Sequence, residues 1–101
     1  MKDMVVGEWP LVVTEHQKIK MPVGSQILAV QERQGLPCLI VLVSDNDEMV
    51  EQEIVLYRTG QPIGHAHGRY IGTVQIYDGF AVQRRLNANV LHVFEIAEGL
   101  S

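Results

Sequence analysis

Apolar residues in this chain recur at every second position or in short unbroken runs, and nowhere with the spacing of a helical face. A buried helix face needs apolar positions at i, i+3, i+4 and i+7, whereas alternation buries one side of a strand. Lys18-Ile19-Lys20-Met21, Gln26 to Arg33 and Arg69 to Tyr77 all alternate. Leu36 to Val43 (LPCLIVLV) is instead continuously apolar and rich in branched side chains. It is bounded by Gly35 and by the polar Ser44-Asp45-Asn46-Asp47, which leaves too short a span for a buried helix. That run is read as a central strand covered on both faces.

Turn signals separate these runs. Pro22-Val23-Gly24-Ser25 places Pro early and Gly late, Gln34-Gly35 closes a hairpin, Ser44 to Glu48 is a polar loop, and Asp78-Gly79 favours a type I′ turn. Trp9 to Val13 reads as a first strand after a loose start, with Trp9 capping the core. Val50 to Tyr57 and Val90 to Ile96 complete the set. The expectation is an all-β fold: one small antiparallel sandwich or barrel of about seven short strands. Residues 1–101 form one domain, with its core over about 9–96 and loose ends. Any unpaired edge strand could accept a second copy, so a homo-oligomer is expected.

Strict alternation assigns faces. Ile27, Ala29 and Gln31 oppose Leu28, Val30 and Glu32, and Tyr70, Gly72, Val74 and Ile76 oppose Ile71, Thr73, Gln75 and Tyr77. In the last strand Val90, His92, Phe94 and Ile96 form the more apolar face, which makes His92 a hydrogen-bonded core histidine.

Composition then excludes several function classes. A net charge of −4 with only eight scattered basic residues argues against nucleic-acid binding by counterion release. The single Cys38 rules out an intrachain disulfide framework and, within the apolar PCLIV run, reads as a small buried hydrophobe. No signal peptide and no apolar run of about 20 residues is present, so the expected location is the cytoplasm. The acidic Ser44–Glu48 stretch lacks the glycine and terminal glutamate of a calcium loop.

Most chemistry-bearing residues gather between Arg58 and Arg69. Arg58, Thr59 and Gly60 open this loop, His65 and His67 lie inside it, and Gly68 and Arg69 close it, with Thr73 just beyond. The two guanidiniums near glycine-exposed amides could hold a phosphate or carboxylate, though neither glycine pattern is a P-loop or dinucleotide fingerprint. The His65-Ala66-His67 pair with His92 as a third imidazole would make a weak cupin-like metal site. Gly64 and Gly68, which flank the pair, favour a solvated or ligand-contacting loop instead. No serine or cysteine stands in a nucleophile elbow, and paired His-x-Thr/Ser motifs of phosphodiester chemistry are absent. No catalytic residue and no cofactor is assigned.

Five blocks in one order carry a resemblance: MPVGSQILAVQ (Met21 to Gln31), GLPCLIVLV (Gly35 to Val43), YRTGQPI (Tyr57 to Ile63), YIGTVQ (Tyr70 to Gln75) and LHVFE (Leu91 to Glu95). Over about residues 10–96 the chain resembles a family of small uncharacterised proteins found largely in phages and prophages. The resemblance implies a compact β-rich domain and a phage origin, and no activity. Two features depart from it: the longer QRRLNAN (Gln83 to Asn89) before the last strand, and the HAH pair in a variable part of the family loop. Three functions follow as expectations. The first is a non-enzymatic module that engages a host protein or complex, such as a host-defence inhibitor. The second is a binder that sequesters a small anionic ligand such as a nucleotide signal, through Arg58, Thr59, Gly60, His65, His67, Arg69 and Thr73. The third is the cupin-like metal protein.

Overall fold

The computed structural model describes residues 4–63, 68–76 and 89–96. These form seven strands: β1 (Val5–Pro10), β2 (His16–Pro22), β3 (Gln26–Arg33), β4 (Leu36–Val43), β5 (Met49–Arg58), β6 (Arg69–Ile76) and β7 (Asn89–Ile96). All pair antiparallel, in a three-stranded sheet of order β1-β4-β3 and a four-stranded sheet of order β2-β5-β7-β6. The fold is an all-β sandwich. No described helix is long and apolar enough to cross a membrane. The turn expected at Asp78-Gly79 lies outside the described residues, as do Arg84 and Arg85.

The core lies between the sheets. Ile27 and Val30 of β3 and Leu39 and Val41 of β4 face Ile54 and Leu56 of β5, with Leu91 and Val93 of β7 and Val74 and Ile76 of β6. Each such side chain, fully buried, contributes about 1.5–3 kcal/mol. β4 is the middle strand of its sheet, as its unbroken apolar run requires, and β5 plays the same part opposite. Ile54 to Tyr57 are buried one after another. Ile54 and Leu56 point inward, while Val55 and Tyr57 form a second cluster with Ile96 and Phe94 on the outer face.

The chain changes sheet three times, and hydrogen bonds close each crossing. Between β1 and β2, Leu11 plugs one end of the sandwich and its amide donates to the Pro37 carbonyl at 2.8 Å. The Gln17 side chain satisfies both the amide and the carbonyl of exposed Val12, at 3.1 and 2.8 Å. At the other end the β2–β3 and β4–β5 connections hold each other. The Val23 amide donates to the Glu48 carbonyl at 2.8 Å, the Ser44 amide donates to Ser25 Oγ at 3.0 Å, and the Ser44 hydroxyl donates to the Val23 carbonyl.

Three sequence expectations need correction. β1 begins at Val5 and ends at Pro10, where a start at Trp9 was expected. Its register, Val5 to Val43, Gly7 to Val41 and Trp9 to Leu39, is set by packing on the inner face of β4. Bulges break the alternation of β3, between Ile27 and Ala29, and of β6, between Tyr70 and Gly72. Ile27 and Val30 therefore both point inward while Leu28 is exposed, and Gly72 points inward while Tyr70 turns out. A bulge inserts one unpaired residue and so reverses the phase beyond it. In β7 the inner residues are Leu91 and Val93, so His92 lies on the outer face and not in the core.

The β3–β4 hairpin has Gln34 at φ 54° and Gly35 at φ 85°, and a two-residue connection of this kind demands positive φ at both positions. Gln34 is the one non-glycine with positive φ among the described residues. Gln34→Asn should therefore stabilise the protein by about 0.5–1 kcal/mol, because Asn tolerates this region with less strain. The rise in thermal midpoint measured by calorimetry checks it.

Candidate functional site

β5 ends at Arg58, and the next residues turn back over the outer face of the four-stranded sheet. The Gln61 amide donates to the Arg58 carbonyl at 3.0 Å, and Gln61 Oε1 accepts from the Arg58 amide at 3.0 Å. Gly60 has φ +87°, the positive value required of the third residue in a type II turn. Gln61 Nε2 donates to Glu15 at 2.9 Å, which ties the turn to the β1–β2 connection.

This turn carries Thr59 to β7. Thr59 Oγ1 lies 2.8 Å from His92 Nε2, and Thr73 Oγ1 lies 2.9 Å from His92 Nδ1. Thr73 Oγ1 also lies 2.5 Å from the Tyr70 hydroxyl. A chain of hydrogen bonds thus runs Tyr70–Thr73–His92–Thr59 across two strands, β6 and β7, and the turn. Beside it, Phe94 packs edge-on to Tyr57 (centroids 5.9 Å apart, planes at 68°) and tilted to Tyr70 (5.4 Å, 60°). Between the turn and these side chains is an open recess of about 300 Å³, with half-exposed Ile63 and Tyr70 at its rim.

Among the described residues the partners of His92 are two threonine hydroxyls. Thr59 and His92 stand at the distance of a nucleophile and its base. What orients the imidazole, however, is a neutral threonine backed by a neutral phenol. A general base in a triad leans on a carboxylate, which stabilises the imidazolium as it forms. Cys38 is no substitute nucleophile. It is buried on the outer face of the other sheet, beneath the Glu8–Arg33 ion pair at 3.2 Å. Burial first, and then the Glu8 carboxylate, push its thiol above the ordinary range.

Of the residues expected at a site, Arg58, Thr59 and Gly60 line the recess, and Thr73 joins them through His92. Arg69 does not. Its guanidinium contacts Glu95 at 2.6 Å and donates to the Ile27 carbonyl at 3.0 Å, which fastens β6 to β3. Arg58 pairs with Leu91 and Arg69 with Glu95, four residues apart along β7, or about 13 Å at ~3.3 Å per residue. The two arginines therefore form no joint anion clamp. Gly68 serves the same fastening: at φ +65° a Cβ there would come 2.1 Å from the Glu95 carbonyl oxygen. His65 and His67 lie outside the described residues. Among the described residues no three His, Cys, Asp or Glu side chains are placed to hold a metal, and both nitrogens of His92 are occupied by hydroxyls.

Tyr57, Ile63, Tyr70 and Phe94 were not singled out by sequence. Tyr57 and Tyr70 were signalled only as aromatic residues flanking the loop, Ile63 and Phe94 carried no signal, and strict alternation had turned Tyr70 the wrong way.

A family model for a domain of unknown function, DUF7352, matches residues 4–99, nearly the whole chain. The chain belongs to the DUF7352 family. No curated protein and no solved structure matches it.

His92→Phe should lower stability by about 0.5–1.5 kcal/mol, since it removes the hydrogen bonds to the Thr59 and Thr73 hydroxyls while preserving the apolar contact with its neighbours. Denaturant titration measures the loss, and an unchanged midpoint would show that the hydroxyl–imidazole chain carries no energy.

Proposed function

We propose that this DUF7352 protein is a non-enzymatic binding module that engages a protein partner through the recess over His92. The observation that carries this reading is the aromatic rim. Tyr70 is 53% exposed beside Phe94 and Ile63, on the face of the sheet that points away from the core. Tyrosine, other aromatic residues and arginine dominate the energetics of protein interfaces, and Arg58 stands at the same recess. The hydrogen-bond chain fixes Thr59, Thr73 and Tyr70 in advance, which lowers the entropy lost on binding. The resemblance to phage and prophage proteins supports a phage origin. The partner would then be a host protein or complex met in the host cytoplasm, and inhibition of a host defence is one such role. Separation of Arg58 from Arg69 removes the clamp that favoured a small anion alone.

The test is affinity capture from host lysate with three baits: the unaltered protein, Tyr70→Ala, and Val6→Ser on the outer face of the other sheet. A single stoichiometric partner should be retained by the first and third and lost by Tyr70→Ala, whose fold is checked by circular dichroism. Capture indifferent to Tyr70→Ala, or no partner at micromolar bait, would overturn the proposal.

A further inference from the structure

The strands that end the two sheets are not equivalent. On one side β3 and β6 lie against each other, with Val30 over Gly72 and the Arg69 guanidinium bonded to the Ile27 carbonyl. On the other side stand β1 and β2, each at the end of its own sheet. The outer edge of such a strand is a template for a further strand unless lysine or proline guards it.

β2 is guarded. The Leu56 amide donates to the Glu15 carbonyl and the Val23 amide to the Glu48 carbonyl, both in register with the β2–β5 ladder. Bonding pairs alternate along an antiparallel ladder, so Gln17, Ile19 and Met21 also bond β5. The outward backbone groups then belong to His16, Lys18, Lys20 and Pro22. Two of these residues are lysines and the last cannot donate. Two copies joined antiparallel at the middle of β2 would set lysine against lysine.

β1 is open. The Leu11 amide donates to the Pro37 carbonyl, one pair beyond Pro10–Cys38, which marks Trp9, Gly7 and Val5 as the residues that bond β4. The amides and carbonyls of Val6 and Glu8 therefore face outward, with the Pro10 carbonyl after them and Met4 before. Among the described residues no strand takes them. Met4, Val5 and Val6 are exposed, and the Glu8 carboxylate is already matched by Arg33 at 3.2 Å.

We infer that β1 pairs antiparallel with β1 of a second copy about a two-fold axis at Val6, joining the two three-stranded sheets into one continuous sheet. The interface is the same on both copies, as a closed dimer requires. Side chains select this register. Centring the axis on Glu8 opposes two carboxylates, and centring it on Gly7 sets Pro10 opposite Met4, where a donor is lost. With the axis at Val6, valine meets valine, Glu8 meets Met4, and every outward amide from Met4 to Glu8 finds a carbonyl. Val5 then faces Gly7 of the second copy. That glycine has no side chain, and the Trp9 ring lies over it, 2.8 Å from where a Cβ would stand. The valine thus packs beside an indole. Main-chain hydrogen bonds supply the affinity, as in other strand additions, and the apolar pairs supply the register.

Sedimentation equilibrium and oxidative cross-linking of the whole protein test this. The unaltered protein should form a dimer, and Val6→Lys, which opposes two ammonium groups at the axis, should weaken it by at least about tenfold. Paired residues at the axis have Cα atoms about 5.5 Å apart, within disulfide reach, whereas the two Val5 positions are about 8 Å apart. Val6→Cys should therefore cross-link two chains on oxidation and Val5→Cys should not. A monomer at every concentration would overturn the inference. So would a dimer untouched by Val6→Lys, or cross-linking at Val5→Cys in preference to Val6→Cys. If circular dichroism shows Val6→Lys unfolded, the two cysteine variants decide alone. The recess over His92 lies on the other sheet, so partner capture through it neither supports nor removes this dimer.

Discussion

The two sheets meet along β3 and β6, where Val30 of β3 lies over Gly72 of β6. A Cβ added at Gly72 would stand 3.1 Å from Val30 Cγ1, so the absence of a side chain on one strand admits the branched side chain of the other. Interiors packed to crystal-like density tolerate no spare methyl at such a place. Arg69 closes the same seam from its rim by bonding to the Ile27 carbonyl and Glu95. Along this side the sandwich is sealed by contact between edge strands of different sheets.

That contact also determines the face that bears the recess. Val30 and Gly72 meet only because each strand carries a bulge, which brings both residues into inward phase. In β6 the extra residue is Ile71, half-buried against the core, and the residue before it, Tyr70, is thrown to the outer face opposite Phe94. A regular ladder would have buried Tyr70 with Gly72, and the ring series, the Tyr70–Thr73 bond and the open recess would all be missing. Core packing and the geometry of the recess are thus two faces of one irregularity. Bulges often re-aim side chains near functional sites, and here the re-aimed residue is Tyr70, at the rim of the recess.

Much of this was legible in the chain and some was not, for identifiable reasons. β3 and β4 match their expected spans because Gly24, Gln34-Gly35 and the polar Ser44–Glu48 stretch punctuate them, and turns obey local chemistry. β1 was misplaced because Val5, Val6 and Gly7 carry no turn signal, and only pairing with β4 fixes their register. The faces of Tyr70 and His92 were misread for a deeper reason. Period-2 counting assumes no inserted residue, and a bulge has no reliable mark in sequence; nor does alternation alone say which of two apolar faces is inner. The loop carries Arg58, Thr59 and Gly60 to the recess beside His92 and Thr73, but the separation of Arg69 follows from strand register, which the loop itself does not encode.

The most direct measurement of this account is a double-mutant cycle on Val30→Ala and Gly72→Ala, read both in stability and in the amide and ring resonances of Thr59, Tyr70 and His92. Gly72→Ala should cost about 1–3 kcal/mol by overpacking and displace those resonances. Adding Val30→Ala should return them toward their original positions, with a coupling energy above ~0.5 kcal/mol. Strict additivity, with the recess resonances unmoved in either variant, would contradict the claim that the seam between β3 and β6 positions the recess.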